Sequence, residues 1–236
     1  PEFTGIMQET CVTVTWMKLC GQALCFTGDP AFGDAIELSL HNALLGAVNT
    51  RKVPRDPLSP NGWLPFDSYS PLRAGLRGQA VGGRMVMADN TIYGCCAAIG
   101  AAGFGAAARL SALHTRNGAA VNLYFPGKVS LTTPGGNRLG LDIETAYPVG
   151  EDITLKLSLE GPEAFQLALR VPGWCRGPEA SVNGESFTAR PGWLKLERMW
   201  HDGDVVRLRF PIEVELISAG ELCEGSGKLP PHIALV

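Results

Sequence analysis

The sequence predicts an α+β protein in which a helical N-terminal portion precedes an antiparallel, jelly-roll-like β-sandwich. Three observations carry this. Before about residue 50 the apolar residues recur at three- and four-residue steps, the period of a helix with a buried face. Prolines 54, 57, 60, 65 and 71, with several glycines, then break any regular pattern. After Asn117 the pattern turns to period two, with strands separated by Gly, Pro, Asp and Asn turns.

The first helix spans Thr10 to Phe26, "TCVTVTWMKLCGQALCF", with Val12, Trp16, Leu19 or Cys20, and Ala23 as its expected buried stripe, and Thr27-Gly28 ends it. Asp29-Pro30 supplies a cap residue followed by the residue best tolerated at the first helical position. Ile36, Leu40, Ala43 or Leu44, and Ala47 then carry a second, antiparallel helix to about Val48. In the irregular stretch from 50 to 92, "GRMVMAD" is the expected strand, and a loop of this length often lines a site. Ala97 to about Leu113 reads as a third helix, weakened by Gly100, Gly103 and Gly105, whose small size lets a neighbour come close. Then follow "AAVNLYF", "KVSLTT", "LGLDIETAY", "DITLKLSLE", "FQLALRVP", "ASVNGES", "WLKLERMW" and "DVVRLRFPIEVELI", each read as one strand. The expected division is a lead-in with a cloning remnant, "PEF", at 1–8, a helical portion with irregular loops at 9–116, and a sandwich at 117–236.

The 236 residues, 45% of them hydrophobic, suffice for one large or two modest domains. A net charge of -3 without long runs of one sign offers no basic face, so nucleic acid is not an expected partner. No apolar run reaches membrane-spanning length and no signal peptide is visible, so neither a membrane nor secretion is expected. Seven cysteines are an odd count in a chain too large to need disulfide staples; reduced thiols, some bound to metal, fit better and suit a cytoplasmic location. His41, His114, His201 and His232 are scattered, with no serine or cysteine partner for a triad, and are read as surface or satisfied structural groups. Cys20 and Cys25 are read as core residues, and Trp16, Trp174, Trp193 and Trp200 as core packing rather than sugar platforms.

The residues with chemistry in them are Glu9 and Cys11 in "QETCVT" and the adjacent pair Cys95 and Cys96 in "YGCCAA". Taken alone, the pair reads either as small buried residues or as metal ligands. Zinc accepts thiolate sulfur and carboxylate oxygen in a four-coordinate shell, so these four side chains would complete one without histidine. Such a shell is anionic overall, which favours one loosely held, reactive thiolate. Residues two apart point about 200° away from each other on a regular helix. Glu9 and Cys11 can therefore share an ion only if that stretch is a loop or a distorted first turn.

Taken in order, "ETC", "GDPAFGDAIELSLHNALLGA", "CC", "AAVNLYFPGKV", "LALRVPGWC", "SVNGE" and "HDGDVVRLRFP" resemble glycoside hydrolase family 127, the β-L-arabinofuranosidase group, from Glu9 to the C-terminus. The resemblance implies part of an (α/α)-barrel followed by a β-sandwich, and retaining hydrolysis of β-L-arabinofuranosyl linkages. It implies zinc held by Glu9, Cys11, Cys95 and Cys96, with Cys95 as nucleophile, and Glu37 and Tyr69 as contacts to a carbohydrate substrate. Tyr69 lies in "SYSPL", where the family has an aromatic-x-Asn-Pro-Leu segment. The family's acid/base glutamate falls upstream of "ETC", so the chain is expected to be the C-terminal part of such an enzyme, inactive alone, and to pair through exposed helix faces as a homodimer. Glu37 otherwise reads as an exposed helix charge. The competing reading of the whole chain is a non-catalytic carbohydrate-binding or structural sandwich, with a structural zinc or no metal.

Overall fold

A computed structural model describes residues 6–48, 66, 69–71, 85–86, 92–93, 95–214, 216–218 and 233–235. Strand β1 (Ile6–Glu9) leads into helix α1 (Thr10–Thr27), and α2 (Pro30–Leu38) continues through a π-helical turn, Ser39–Leu44. The Asp29 carboxylate accepts from the Ala31 N–H at 3.0 Å, with Pro30 at the first helical position, so the cap read from the sequence is present. Ile36, Leu40, Leu44 and Ala47 are all buried, as their spacing requires.

Of the expected stripe on α1, Cys20 is buried, but the rest of the buried face differs. Val14, Met17, Cys20, Gly21 and Leu24 face the core, whereas Val12, Trp16 and Leu19 are 62%, 47% and 56% exposed. Both stripes have helical spacing, so periodicity could not choose between them; Ile36, Leu44 and Ala107 in the shared cluster did. Cys25, expected in the core, is exposed.

Short strands β2 (Tyr69–Pro71), β3 (Met85–Val86) and β4 (Ile92–Tyr93) follow; β3 lies within "GRMVMAD" and pairs with β4, while most of residues 49–94 lies outside the described residues. Helix α3 (Cys95–Arg109) starts two residues earlier than expected and stops sooner, because the chain turns into strand β5 (Ala112–Thr115). Asn122 makes that turn: its side chain donates to the Leu110 carbonyl at 3.0 Å, and its N–H donates to the Ser111 carbonyl at 2.7 Å. Gly103 earns its place by close approach. A Cβ there would sit 2.7 Å from side-chain atoms of both Leu44 and Val14, so only glycine lets α3 lie against α1 and the π turn.

The remainder is the expected sandwich. Strands β6 (Gly118–Val121), β7 (Gly127–Thr132), β8 (Arg138–Thr145), β9 (Asp152–Leu159), β10 (Glu163–Val171), β11 (Glu179–Val182), β12 (Glu185–Thr188), β13 (Gly192–Trp200) and β14 (Val205–Arg209) build it with β5. One sheet has the order β13-β10-β6-β5 and the other β12-β11-β14-β9-β8-β7. "ASVNGES" is a hairpin rather than one strand: Val182 pairs with Glu185 across Asn183-Gly184, both with positive φ (51° and 88°), the geometry of a two-residue primed turn. One pair, β6 with β10, is parallel, because three strands of the other sheet intervene between them. Strands β15 (Leu216–Ser218) and β16 (Ile233–Leu235) pair with each other at the end.

Alternate residues Phe165, Leu167, Leu169 and Val171 of β10 and Ile153, Leu155, Leu157 and Leu159 of β9 fill the space between the sheets. Ala168 and Arg170, on the opposite face of β10, are also buried. The helices cover that face, giving three layers in the order helices, four-stranded sheet, six-stranded sheet. No described helix is long and apolar enough to cross a membrane.

The Gly103 contact is tested by two substitutions in one helix. Gly103→Val should destabilise by about 1–3 kcal/mol through overpacking. Gly105→Ala, where a Cβ meets nothing within 4 Å, should stabilise by about 0.5–1 kcal/mol. Equal effects of the two in urea unfolding would contradict the packing described.

Candidate metal centre

Glu9 is the residue before α1, with extended backbone angles (φ -95°, ψ 129°), and Cys11 is the second residue of the helix. This break between strand and helix meets the geometric condition for two residues at i and i+2 to face one point. Cys95 and Cys96 open α3, so both halves of the cluster sit at helix N-termini. The first-turn N–H groups and the positive end of the macrodipole favour anionic side chains there. Packing of α3 against α1 brings the halves together: Cys11 Sγ is 3.1 Å from Cys95 Sγ and 3.3 Å from Cys96 Sγ, and the pair's sulfurs are 3.8 Å apart.

One ligand atom from each of Glu9, Cys11, Cys95 and Cys96 lies within 4.8 Å of the others, the group of this kind found among the described residues. A tetrahedral zinc with Zn–S bonds of about 2.3 Å spaces its sulfurs about 3.8 Å apart; the Cys95–Cys96 pair already has that spacing, and Cys11 would have to move outward by roughly half an ångström or more from each. Burial, then the hydrogen bonds and charges of the two neighbouring sulfurs, pushes the Cys11 thiol well above its usual range. A divalent cation removes that penalty by neutralising the crowded thiolates. The cysteines differ in access: Cys96 is buried, while Cys11 and Cys95 are half-exposed.

Tyr69 lies opposite Glu9 in the β1–β2 register, so the backbone of Tyr69–Pro71 pairs with the strand that ends at Glu9. Glu37 lies elsewhere. It is neither an exposed charge nor part of the cysteine group, but 5% exposed and bonded through Oε1 to Arg170 Nη2 at 2.7 Å. Arg170 is fully buried; its Nη1 donates to Asp34 Oδ1 at 2.5 Å and its Nε to the Asn122 carbonyl at 2.7 Å. Burial opposes the Arg170 charge, but Glu37 and Asp34 outweigh it and hold the guanidinium above its ordinary pKa. Burial, then the Glu37 carboxylate to which it is hydrogen-bonded, pushes the Tyr147 phenol well above its usual range.

Arg170, Asp34 and Tyr147 escaped the reading of the sequence. The available signal was an arginine in an otherwise apolar strand, "LALRVP", with carboxylates at i and i+3 on a helix, "GDAIEL". Of the tryptophans, Trp200 is buried and donates to the Phe165 carbonyl, and Trp193 donates to the Gly28 carbonyl. Trp16 and Trp174 are exposed, against expectation. His41 is half-buried with its pKa lowered by burial, the His114 ring nitrogen lies 3.2 Å from the Thr132 carbonyl, and His201 is exposed. His232 lies outside the described residues.

Residues 118–212 match the family model described as the β-L-arabinofuranosidase, GH127 middle domain. A GH127 β-L-arabinofuranosidase from Geobacillus stearothermophilus T6 superposes with a TM-score of 0.69 at 25% identity, covering 89% of this chain and 33% of that one. A structure described as a glycoside hydrolase gives 0.73 at 23% identity, covering 92% and 35%. A GH127 β-arabinofuranosidase gives 0.66 at 23% identity, covering 89% and 32%. The chain thus spans about a third of the length of these structures. No curated protein matches it by sequence.

The seam is tested by Arg170→Leu, which strands two carboxylates and should cost about 3–5 kcal/mol. Glu37→Gln keeps a hydrogen-bonding group of the same shape and should cost less, about 1–3 kcal/mol. A loss below 1 kcal/mol for Arg170→Leu in chemical denaturation would show that the ion network does not hold the layers together.

Proposed function

We propose that this chain, whose residues 118–212 match the GH127 middle-domain model, carries the nucleophilic half of a retaining glycosidase acting on β-L-arabinofuranosyl linkages. One observation supports the reading above the others: three thiols and a carboxylate converge at two helix N-termini, with one thiol of the adjacent pair buried and the other accessible. Glu9, Cys11, Cys95 and Cys96 would hold the metal, for which zinc suits the donor set. When bound, the ion supplies positive charge that keeps the cysteines ionised at neutral pH.

Cys96, in the core, is suited to a purely ligating role. Cys95, half-exposed at the first position of α3, is suited to be the nucleophile. Its sulfur attacks the anomeric carbon and the bond to the leaving oxygen breaks, giving a covalent thioglycoside on Cys95. Water then displaces the sulfur from the opposite face, so two inversions give net retention, the two-step logic of retaining enzymes with sulfur in place of carboxylate. The leaving oxygen needs a proton, and the described residues bring no second carboxylate into this group.

The test uses the product of the complete reading frame, loaded with zinc, and an aryl β-L-arabinofuranoside. Cys95→Ala should lower kcat by at least about a thousandfold, since it removes the covalent route, and a wild-type reaction followed by NMR should release the β-anomer first. Equal turnover by the two proteins, or first release of the α-anomer, would remove the cysteine mechanism. Zinc-loaded protein with no glycosidase activity at all would favour the non-catalytic sandwich instead.

A further inference from the structure

We propose that Trp174, with Asp34 beside it, forms a second carbohydrate-contacting surface, built on elements other than those of the cysteine cluster. The proposal rests on the glycosidase reading for its ligand class and extends it to a different part of the molecule. Trp174 follows β10 in the loop "VPGWC" and is 41% exposed, although Val171 and Cys175 on either side are buried. Its ring lies parallel to that of Tyr147, within 5° and with centroids 6.4 Å apart. Tyr147 is itself held: its ring meets Tyr124 and Phe210 edge-on, and His41 stands perpendicular to it at 6.4 Å.

The indole therefore rests on a fixed cluster of rings, which lowers the ordering cost of binding against it. Beside it, Asp34 is 31% exposed over its side chain; its Oδ2 accepts the Gly173 N–H at 3.1 Å and its Oδ1 accepts from Arg170, and each carboxylate oxygen has a further lone pair. A flat apolar ring next to an accessible carboxylate suits a sugar: the C–H face packs on the indole and adjacent hydroxyls donate to the carboxylate. A purely apolar partner would leave that carboxylate unpaired and desolvated. Within these residues, Arg170 positions Asp34, and Tyr147 positions Trp174.

The experiment titrates zinc-loaded protein with methyl β-L-arabinofuranoside and with short arabinofuranosyl oligosaccharides, following the indole N–H resonances by NMR. Five tryptophans give five such signals, and Trp174→Phe assigns one of them. The expected result is a saturable shift of the Trp174 signal in wild type and in Cys95→Ala alike, with affinity reduced about tenfold in Trp174→Ala, a loss in the range of one aromatic contact. Thermal unfolding of Trp174→Ala checks that the fold persists, and Trp174→Phe, which keeps a ring, should retain most of the affinity. A Trp174 signal unmoved by any of these sugars, or wild-type affinity in Trp174→Ala, overturns the proposal. Absence of hydrolysis by the product of the complete reading frame, with the Trp174 response intact, would count against the glycosidase reading and leave this surface standing.

Discussion

The buried guanidinium of Arg170 is the constraint around which the layers are arranged. A fully desolvated cation on the outer face of β10 is tolerable only if carboxylates meet it, and Asp34 and Glu37, one turn apart on α2, do so. Their spacing fixes which face of α2 lies on the sheet. The Arg170 backbone carbonyl also accepts the Tyr124 hydroxyl at 2.7 Å, so the same residue ties both faces of the four-stranded sheet. With α2 placed, its continuation through the π turn presents Leu44 to Gly103, and α1 returns beside it to present Val14 to the same glycine.

The cysteine cluster follows from that arrangement. Two helices whose first turns carry ligands in different registers, Cys11 at the second position of α1 and Cys95-Cys96 at the first two of α3, converge only if their axes approach closely. Gly103 permits the approach and the shared apolar cluster of Val14, Met17, Leu44 and Ala107 drives it. The cluster is thus a property of the core: its residues are 84 and more positions apart across the two halves, yet their three sulfurs lie 3.1–3.8 Å from one another.

Parts of this were legible in the sequence because they are local. The Asp29-Pro30 start, the period-two strands and the helix-start character of "QETCVT" depend on residues within a few positions of one another. The facing of α1 was not, since its apolar residues fill two stripes and only the tertiary partners select one. The Asn183-Gly184 turn was present as a signal, but the short strands around it read as a single one. Arg170 was beyond local reading: its carboxylate partners lie 133 and 136 positions away, and an arginine in a strand ordinarily points to water. Glu37 shows the same limit, since its burial against Arg170 becomes visible only when helix and sheet are brought together.

A three-sulfur, one-oxygen shell at two helix N-termini is the metal site proposed for this core. X-ray absorption at the zinc edge on protein loaded with one equivalent measures that shell directly. About three sulfur neighbours near 2.3 Å and one oxygen near 2.0–2.2 Å are expected, with a sulfur lost in Cys11→Ala. A shell made mainly of nitrogen and oxygen, or zinc that does not stay bound through desalting, would contradict it.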